Sequence, residues 1–222
     1  MAGGAQVQAF ITGDPARWRL LGLVRSLRLP DCWIGAGFVR NALWDRLHGR
    51  DAAPPPGDVD VVRFDPERAD PPEDQAIQAT LHDLAPTVRW SVKNQARMHA
   101  RNGDAPHASA AEAMRHWPET ATAVAVRRGA DDQCEVAAPF GLGDLLGLVL
   151  RPTPGFAASK RHVFDARVRE KRWLSDWPGL QVACRQATPS SSHPAAVSRR
   201  APPVDSAQPG ADVPPITAKA SA

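Results

Sequence analysis

The chain has 222 residues, which is enough for one good-sized core or for one core with an appendage. Its formal net charge of +3 is mildly basic and does not by itself indicate a nucleic-acid partner. No apolar segment is long enough to span a membrane, and residues 1–13 lack the basic start and apolar run of a signal peptide. Neither paired nor zinc-ligand spacing relates Cys32, Cys134 and Cys184. We therefore expect a cytoplasmic protein whose cysteines are reduced and which has no membrane partner.

The composition changes along the chain and predicts three regions. Residues 1–13 are expected to be a flexible N-terminus, and residues 14–184 are expected to form one folded domain. From residue 185 onward, proline, serine, alanine and glutamine dominate and large apolar side chains are few. Such a segment buries too little apolar surface to offset its loss of chain entropy, so we expect residues 185–222 to be disordered.

Helix-start signals recur within the folded domain. Asp14 followed by Pro15 is typical of an N-cap and a first helical residue, and it predicts a helix over 15–29. Two further helices are predicted to begin at 70–73 and at 109–112, where the residues have the spacing of a capping box.

The remaining elements are predicted from alternation and from apolar runs. Alternating apolar residues predict a strand over 87–93 and a β-hairpin over 120–138. An apolar run predicts a buried helix over 142–150, and a charged helix is predicted over 157–176.

A strand, a glycine turn and a helix are predicted in succession between residues 32 and 49. The apolar run 32–34 suits a buried strand. Gly35 and Gly37 then open a helix over 38–48, and Gly49 ends it. Glycines in such a turn let backbone amides approach an anion, and the helix N-terminus adds partial positive charge there.

Two carboxylates follow on the next predicted strand. After a proline-rich loop, residues 58–62 alternate so that Asp58 and Asp60 share one face. Such a pair suits Mg²⁺, which is commonly held by one or two carboxylates plus substrate phosphates. Arg40, in the first turn of the preceding helix, is placed to reach a phosphate. A phosphate cradle beside a metal clamp indicates phosphoryl or nucleotidyl transfer.

These motifs resemble a known superfamily. The segment 35–41, Gly-Ala-Gly-Phe-Val-Arg-Asn, followed by Asp-Val-Asp at 58–60, is similar to the signature of the DNA polymerase β-like nucleotidyltransferases, in the style of tRNA nucleotidyltransferases and poly(A) polymerases. Three further segments resemble a family of bacterial nucleotidyltransferase-like proteins: 90–99, 116–126 and 138–142. The resemblance implies an α/β (α+β) fold for the folded domain. A small mixed β-sheet would be flanked by helices and followed by a helical C-terminal part.

The resemblance also implies an activity. It predicts a Mg²⁺-dependent nucleotidyltransferase that moves a nucleoside monophosphate from a nucleoside triphosphate to an acceptor hydroxyl and releases pyrophosphate. Gly35 and Gly37 would seat the triphosphate, and Arg40 would neutralise phosphate charge. Asp58 and Asp60 would be the catalytic residues and hold the metal. The acceptor stays open between an RNA end, a protein and a small molecule.

One departure from the superfamily pattern supports a second hypothesis. A third carboxylate often comes from the strand beside the Asp-x-Asp strand, where this chain has Ser91 and no acid. The second hypothesis is a catalytically degenerate fold that binds a nucleotide or a protein without turnover. A third is a non-enzymatic scaffold with surface acids. Asp131 and Glu135 are later acids that would compensate if the fold brought them near.

Two polar groups each have two interpretations. Lys93 and Asn94 belong to a polar cluster that would bind a nucleotide or, with equal weight, form a turn that satisfies backbone groups. Lys160, Arg167 and Lys171 fall on one face of the predicted charged helix. For them a solvated face is favoured over a basic wall for triphosphate or RNA.

Histidine and cysteine offer weaker signals. The irregular spacing of His99, His107 and His116 disfavours a zinc site. Cys32 and Cys134 lie in apolar contexts, which favours small core residues over nucleophiles.

Overall fold

The computed structural model describes residues 2–183 except 52, 53, 55 and 56. In that part of the chain a five-stranded mixed β-sheet is flanked by helices, which confirms the predicted fold class. No helix of the described residues is long and apolar enough to cross a membrane. The predicted disordered tail, residues 185–222, lies outside the described residues, as does Cys184.

The elements are numbered in chain order. The strands are β1 (Cys32–Gly35), β2 (Val59–Arg63), β3 (Trp90–Asn94), β4 (Ala125–Arg128), β5 (Cys134–Ala137), β6 (Val149–Leu150) and β7 (Gln181–Val182). The helices are α1 (Ala2–Thr12), α2 (Pro15–Ser26), α3 (Gly37–Leu47), α4 (Pro71–Leu84), α5 (Met98–Asn102), α6 (Ala110–Met114), α7 (Gly143–Leu146), α8 (Pro154–Ala157), α9 (Arg161–Glu170) and α10 (Trp173–Asp176).

The sheet has the strand order β3-β2-β1-β4-β5, with β1 in the centre. β1 is antiparallel to both β2 and β4, and β4 and β5 form the predicted hairpin. β2 and β3 are parallel. A parallel pair needs a crossover connection, which α4 supplies. Asp60 pairs with Gly35 of β1 on one side and with Ser91 of β3 on the other, so these three residues form one row across the sheet.

The two faces of the sheet pack against different groups of apolar side chains. Val59 and Val61 of β2 belong to the main core, whereas Val62 belongs to a smaller cluster with Trp33 and Met114 of α6. This alternation follows from the two-residue period of a strand. The Asp60 side chain alternates in the same way and lies on the Val62 face of β2.

The N-terminus differs from its prediction. Residues 1–13 were expected to be flexible, but α1 forms there, and Val7 and Ile11 are fully buried. The two side chains are four residues apart and therefore lie on one helical face. The Gln8 side-chain amide donates a hydrogen bond of 2.6 Å to the Cys134 carbonyl oxygen. One short apolar stripe was enough to dock the helix, although its composition gave no helix signal.

The predicted helix starts are largely confirmed, and their caps differ in detail. The Asp14 carboxylate accepts a hydrogen bond of 2.9 Å from the Arg17 amide at the start of α2. α2 ends at Ser26, before the predicted residue 29, and Arg28 two residues later has a positive φ of 51°. The Asp70 side chain makes no capping bond to α4, so the predicted capping box is absent there.

The region after the hairpin is more broken than predicted. The expected buried helix over 142–150 is the short α7 followed by β6, which pairs with β7 near the end of the domain. Leu148 has a positive φ of 56°, which a continuing helix excludes. The expected charged helix over 157–176 is divided into α8, α9 and α10. Arg172, with a φ of 53°, separates the last two.

Candidate active site

The glycine turn between β1 and α3 is tightly built. A Cβ atom at position 35 would lie 3.2 Å from the Val124 carbonyl oxygen and 3.2 Å from the Trp117 ring, so only glycine fits without movement. Ala36 has a positive φ of 53° and donates its amide to the Val124 carbonyl oxygen at 2.9 Å. α3 begins immediately afterwards, at Gly37. Backbone packing at Gly35 thus fixes where the helix N-terminus points.

Asp58 and Asp60 stand beside this turn. Asp60 is directly opposite Gly35 in the β1–β2 pair, and Asp58 precedes β2. The Asp58 side chain is 63% exposed and lies 3.5 Å from the Arg89 guanidinium. Burial raises the pKa of Asp60, and the nearby charge of Asp58 raises it further. A hydrogen bond from the Ser91 hydroxyl opposes this rise in pKa.

A cleft of about 510 Å³ joins the turn, the two acids and the C-terminal helices. Its walls come from the glycine turn, α3, the start of β2, the segment before β4, α9 and α10. We call it the acidic cleft; the lining residues are Ala36, Gly37, Phe38, Arg40, Asn41, Gly57, Asp58, Asp60, Thr122, Arg167, Lys171, Trp173, Asp176 and Trp177. The predicted Asp58, Asp60, Gly37 and Arg40 are therefore brought together.

Arg40 lies in the wall of the acidic cleft and is only 6% exposed. Its guanidinium donates to the Thr122 hydroxyl at 2.7 Å and to the Asn41 side-chain oxygen at 2.9 Å. It also stands 4.5 Å from the ring centre of Trp173. Burial lowers the pKa of Arg40 to about 10, and the negative charge of Glu119 opposes this most strongly. Arg40 is thus a charged but largely enclosed group.

Arg167 and Lys171 lie beside the candidate site. A solvated face was favoured for this helix, and Lys171 is exposed; both side chains nevertheless line the acidic cleft. Lys160 lies instead at a separate cavity of about 380 Å³ beside Phe156. Spacing along the helix placed Arg167 and Lys171 on one face, but only the fold shows that this face meets the two acids.

Lys93 and Asn94, predicted to bind a nucleotide, do not line the acidic cleft in the described part of the chain. Asn94 is fully buried. Its side-chain oxygen accepts from the Asp65 and Ala96 amides, and its side-chain nitrogen donates to the Asp65 and Arg68 carbonyl oxygens at 2.7 and 2.9 Å. The alternative interpretation, a turn that satisfies backbone groups, describes these contacts of Asn94. Lys93 is exposed.

No third acid completes the Asp58–Asp60 pair among the described residues. Ser91 lies beside Asp60 at the position where the superfamily comparison puts an acid. Glu135 pairs with Arg127 at 2.6 Å and lines a different cavity. Across the described ranges, no group of three or more histidine, cysteine, aspartate or glutamate side chains is placed to hold a metal ion. Two carboxylates do fit Mg²⁺ if substrate phosphates supply further oxygen ligands.

None of the histidines and cysteines in the described part of the chain lines the acidic cleft. The His107 ring centre lies 5.9 Å from that of His99 and 4.6 Å from that of His116. Their irregular spacing in sequence did not predict this cluster. Cys32 and Cys134 are buried, and burial raises the pKa of the Cys32 thiol to about 12, which makes it a poor nucleophile.

Comparison with known proteins agrees with this architecture. The model of a family described as nucleotidyltransferase matches residues 22–182. The chain belongs to that nucleotidyltransferase family. Its fold is that of a solved structure reported to reveal a CCA-adding enzyme head domain, with 30% identity and a TM-score of 0.72 over 81% of this chain and 95% of that one.

The nucleotidyltransferase also resembles larger proteins. A CCA-adding enzyme solved in complex with CTP shares 16% identity with it, at a TM-score of 0.50 over 81% of this chain. The chain spans 43% of that enzyme. No curated protein matches the sequence. The resemblance inferred from residues 35–41 and 58–60 is thereby confirmed, and the protein is placed among nucleotidyl-transferring enzymes.

Proposed function

We propose that this nucleotidyltransferase transfers a nucleoside monophosphate from a nucleoside triphosphate to an acceptor hydroxyl, with release of pyrophosphate. One observation carries the proposal: two carboxylates, Asp58 and Asp60, face the same cleft as the glycine turn and the cations Arg167 and Lys171. This combination suits a triphosphate held with a divalent cation. A CCA-adding enzyme of similar fold has been solved with CTP.

Asp58 and Asp60 would hold the cation, and Mg²⁺ is the ion that two carboxylates plus phosphate oxygens suit best. Nucleotidyltransferases of this kind generally use divalent metals. When bound, the ion neutralises charge that develops on the phosphate oxygens. The raised pKa of Asp60 is consistent with this role, because two carboxylates beside each other favour a bound cation between them.

The remaining groups of the acidic cleft position the triphosphate. Amides at the N-terminus of α3, which begins at Gly37, would donate hydrogen bonds to phosphate oxygens, because they carry partial positive charge there. Arg167, whose side chain is 32% exposed, and the exposed Lys171 would contact phosphate directly. Arg40 would act mainly by its charge, since much of its hydrogen-bonding capacity is engaged within the protein.

A second candidate is a nucleotide- or protein-binding module without turnover. The serine at position 91 favours it, because Ser91 lies beside Asp60 where the superfamily comparison suggests an acid. Asp176 also lines the cleft, but no group of three acids among the described residues is placed to hold a metal ion. Both candidates need nucleotide binding, and only the first needs product. The expected cytoplasmic location stays a prediction.

The test combines nucleotide binding with product formation. With Mg²⁺ and a nucleoside triphosphate at a hundred times its Kd, we expect the melting temperature to rise by roughly 5–10 °C. The rise should vanish in the double variant Asp58→Asn with Asp60→Asn and persist in Asp83→Asn, an exposed acid on α4. Absence of a shift with all four ribonucleoside triphosphates would contradict the proposal.

Transfer itself is tested with triphosphates labelled at the α-phosphate and cell extract as the source of acceptor. Label that appears on RNA, protein or a small molecule, together with pyrophosphate, supports the enzyme and identifies the acceptor class. Binding without any labelled product favours the second candidate.

A further inference from the structure

Glu119 is a buried carboxylate beside the acidic cleft; it lies in the segment 116–126 and was not among the predicted site residues. Its side chain is fully enclosed. The Arg167 Nε atom donates to its Oε1 atom at 2.8 Å. A buried acid without a partner is costly, so Glu119 depends on this arginine for its charge compensation.

A backbone hydrogen bond next to Glu119 connects the segment before β4 with the segment before α8. The neighbouring Thr120 amide donates to the Arg151 carbonyl oxygen at 3.0 Å, on the segment that leads into α8 and α9. The Glu119 carbonyl oxygen accepts from the Thr122 amide at 3.1 Å. Thr122 in turn holds Arg40 through its hydroxyl group. One short turn therefore supports an arginine from α3 and an arginine from α9.

Arg40 and Arg167 repel each other, and Glu119 is the counter-charge that acts on both. The charge of Arg167 lowers the pKa of Arg40, whereas the charge of Glu119 raises it by more. Glu119 does not line the acidic cleft, so it is separated from a ligand there. Its carboxylate contacts Arg167 directly and compensates the charge of both arginines.

We propose that Glu119 is a positioning residue, whose carboxylate holds Arg167 against the cleft wall and keeps Arg40 and Arg167 together as one phosphate-binding pair. The proposal rests on the proposed function, since it assigns the pair to the triphosphate of the nucleotide. It goes further by placing the determinant of phosphate affinity outside the cleft. Glu119 accepts from the Nε atom and from one terminal nitrogen of Arg167, at 2.8 and 3.5 Å. The guanidinium has further N–H groups, and its partial exposure leaves these to the ligand.

A purely structural ion pair would give a different result. Such a pair would tie α9 to the core, and its loss would lower stability without changing the relative affinities for mono- and triphosphates. If Glu119 is a positioning residue, a triphosphate binds more tightly than a monophosphate by a factor that depends on the charge of Glu119. The ratio of monophosphate to triphosphate Kd separates these roles, because unfolding lowers both affinities by the same factor.

The experiment measures this ratio by isothermal titration of the full chain with AMP, ATP, CMP and CTP in the presence of Mg²⁺; no acceptor is required. Glu119→Gln should weaken triphosphate binding about tenfold, the scale of one charged hydrogen bond, and should change monophosphate binding less. Glu119→Asp should recover part of the loss because it restores the charge. The matched control is Glu135→Gln, which removes a glutamate paired with Arg127 outside the cleft.

Arg167→Gln keeps the proposal testable if Glu119→Gln does not fold. It should reduce the same ratio, and in the double variant the two losses should not add, because Glu119 acts through Arg167. An unchanged ratio in Glu119→Gln or in Arg167→Gln would overturn the inference while nucleotide binding by the wild type left the proposed function standing. If the wild-type chain bound none of these nucleotides, the proposed function would fail first and this inference with it.

Discussion

At the residue scale, Asp60 combines a position in the candidate site with an energetic cost. It is partly buried, it lies near Asp58, and both conditions raise its pKa. A carboxyl whose pKa is raised by folding contributes stability below its unfolded pKa and loses that contribution as the pH rises through its folded value. At neutral pH the ionised Asp60 therefore destabilises the metal-free protein.

The substitution Asp60→Asn should consequently lower activity and raise stability. We expect transfer to fall at least about a hundredfold. The melting temperature in a chelating buffer should rise by roughly 2–4 °C, equivalent to about 1 kcal/mol for a domain of this size. This gain should be complete at neutral pH and shrink as the pH falls through the folded pKa of Asp60. A melting temperature below that of the wild type at neutral pH would contradict the assignment.

Asn94 shows how a polar residue can serve the fold alone. Its side chain joins the end of β2 to the end of β3 through contacts with Asp65, Arg68 and Ala96. Asn94→Ala leaves several buried backbone groups without partners. We expect the free energy of unfolding in urea to fall by about 2–4 kcal/mol.

The adjacent exposed Lys93 supplies the comparison. Lys93→Ala should change neither stability nor nucleotide affinity, and the folded fraction of Asn94→Ala should keep the wild-type Kd. A weaker Kd in Lys93→Ala would restore the nucleotide-binding interpretation of the polar cluster.

At the element scale, α9 forms the basic wall of the acidic cleft and offers its own internal control. Lys171 follows the last turn of α9 and lines the cleft, whereas Arg169 is exposed and does not line it. Lys171→Ala should weaken triphosphate binding about fivefold and reduce its dependence on salt. Arg169→Ala should leave both unchanged. Equal effects of the two substitutions in titrations at low and high salt would show that only overall charge matters.

The elements that could be predicted are those with local chemical signals. Asp14 with Pro15 marks the start of α2. At the start of α6, the Ser109 hydroxyl oxygen accepts a hydrogen bond from the Glu112 amide, as the capping-box spacing indicated. α1 has no such signal: two apolar residues, Val7 and Ile11, dock it, and their effect depends on a surface formed by distant residues. Local propensity cannot supply that information.

At the scale of the whole molecule, one part of the candidate site has local sequence signals and the other part depends on contacts between distant residues. The glycine turn and the shared face of Asp58 and Asp60 were predicted from local patterns, and Ser91 was placed by the resemblance. The alignment of this turn, Asp60 and Ser91 in one row depends on strand pairing, which only the fold shows. Arg167 and Glu119 are 48 positions apart and meet only after the segment before β4 and the segment before α8 pair. No local pattern predicts such a contact, so the charged helix was interpreted as solvated.

The acidic cleft is built over indole rings, and this gives the protein an optical property. The Trp44 ring centre lies 6.0 Å from that of Trp173 and 5.2 Å from that of Trp177, and the latter two line the cleft. The chain contains seven tryptophans and no tyrosine, so indole dominates its ultraviolet fluorescence. We expect a phosphate-rich ligand bound in the cleft to alter the electric field at two of these emitters. Intrinsic emission should therefore report occupancy of the cleft, without a dye and before any acceptor is known.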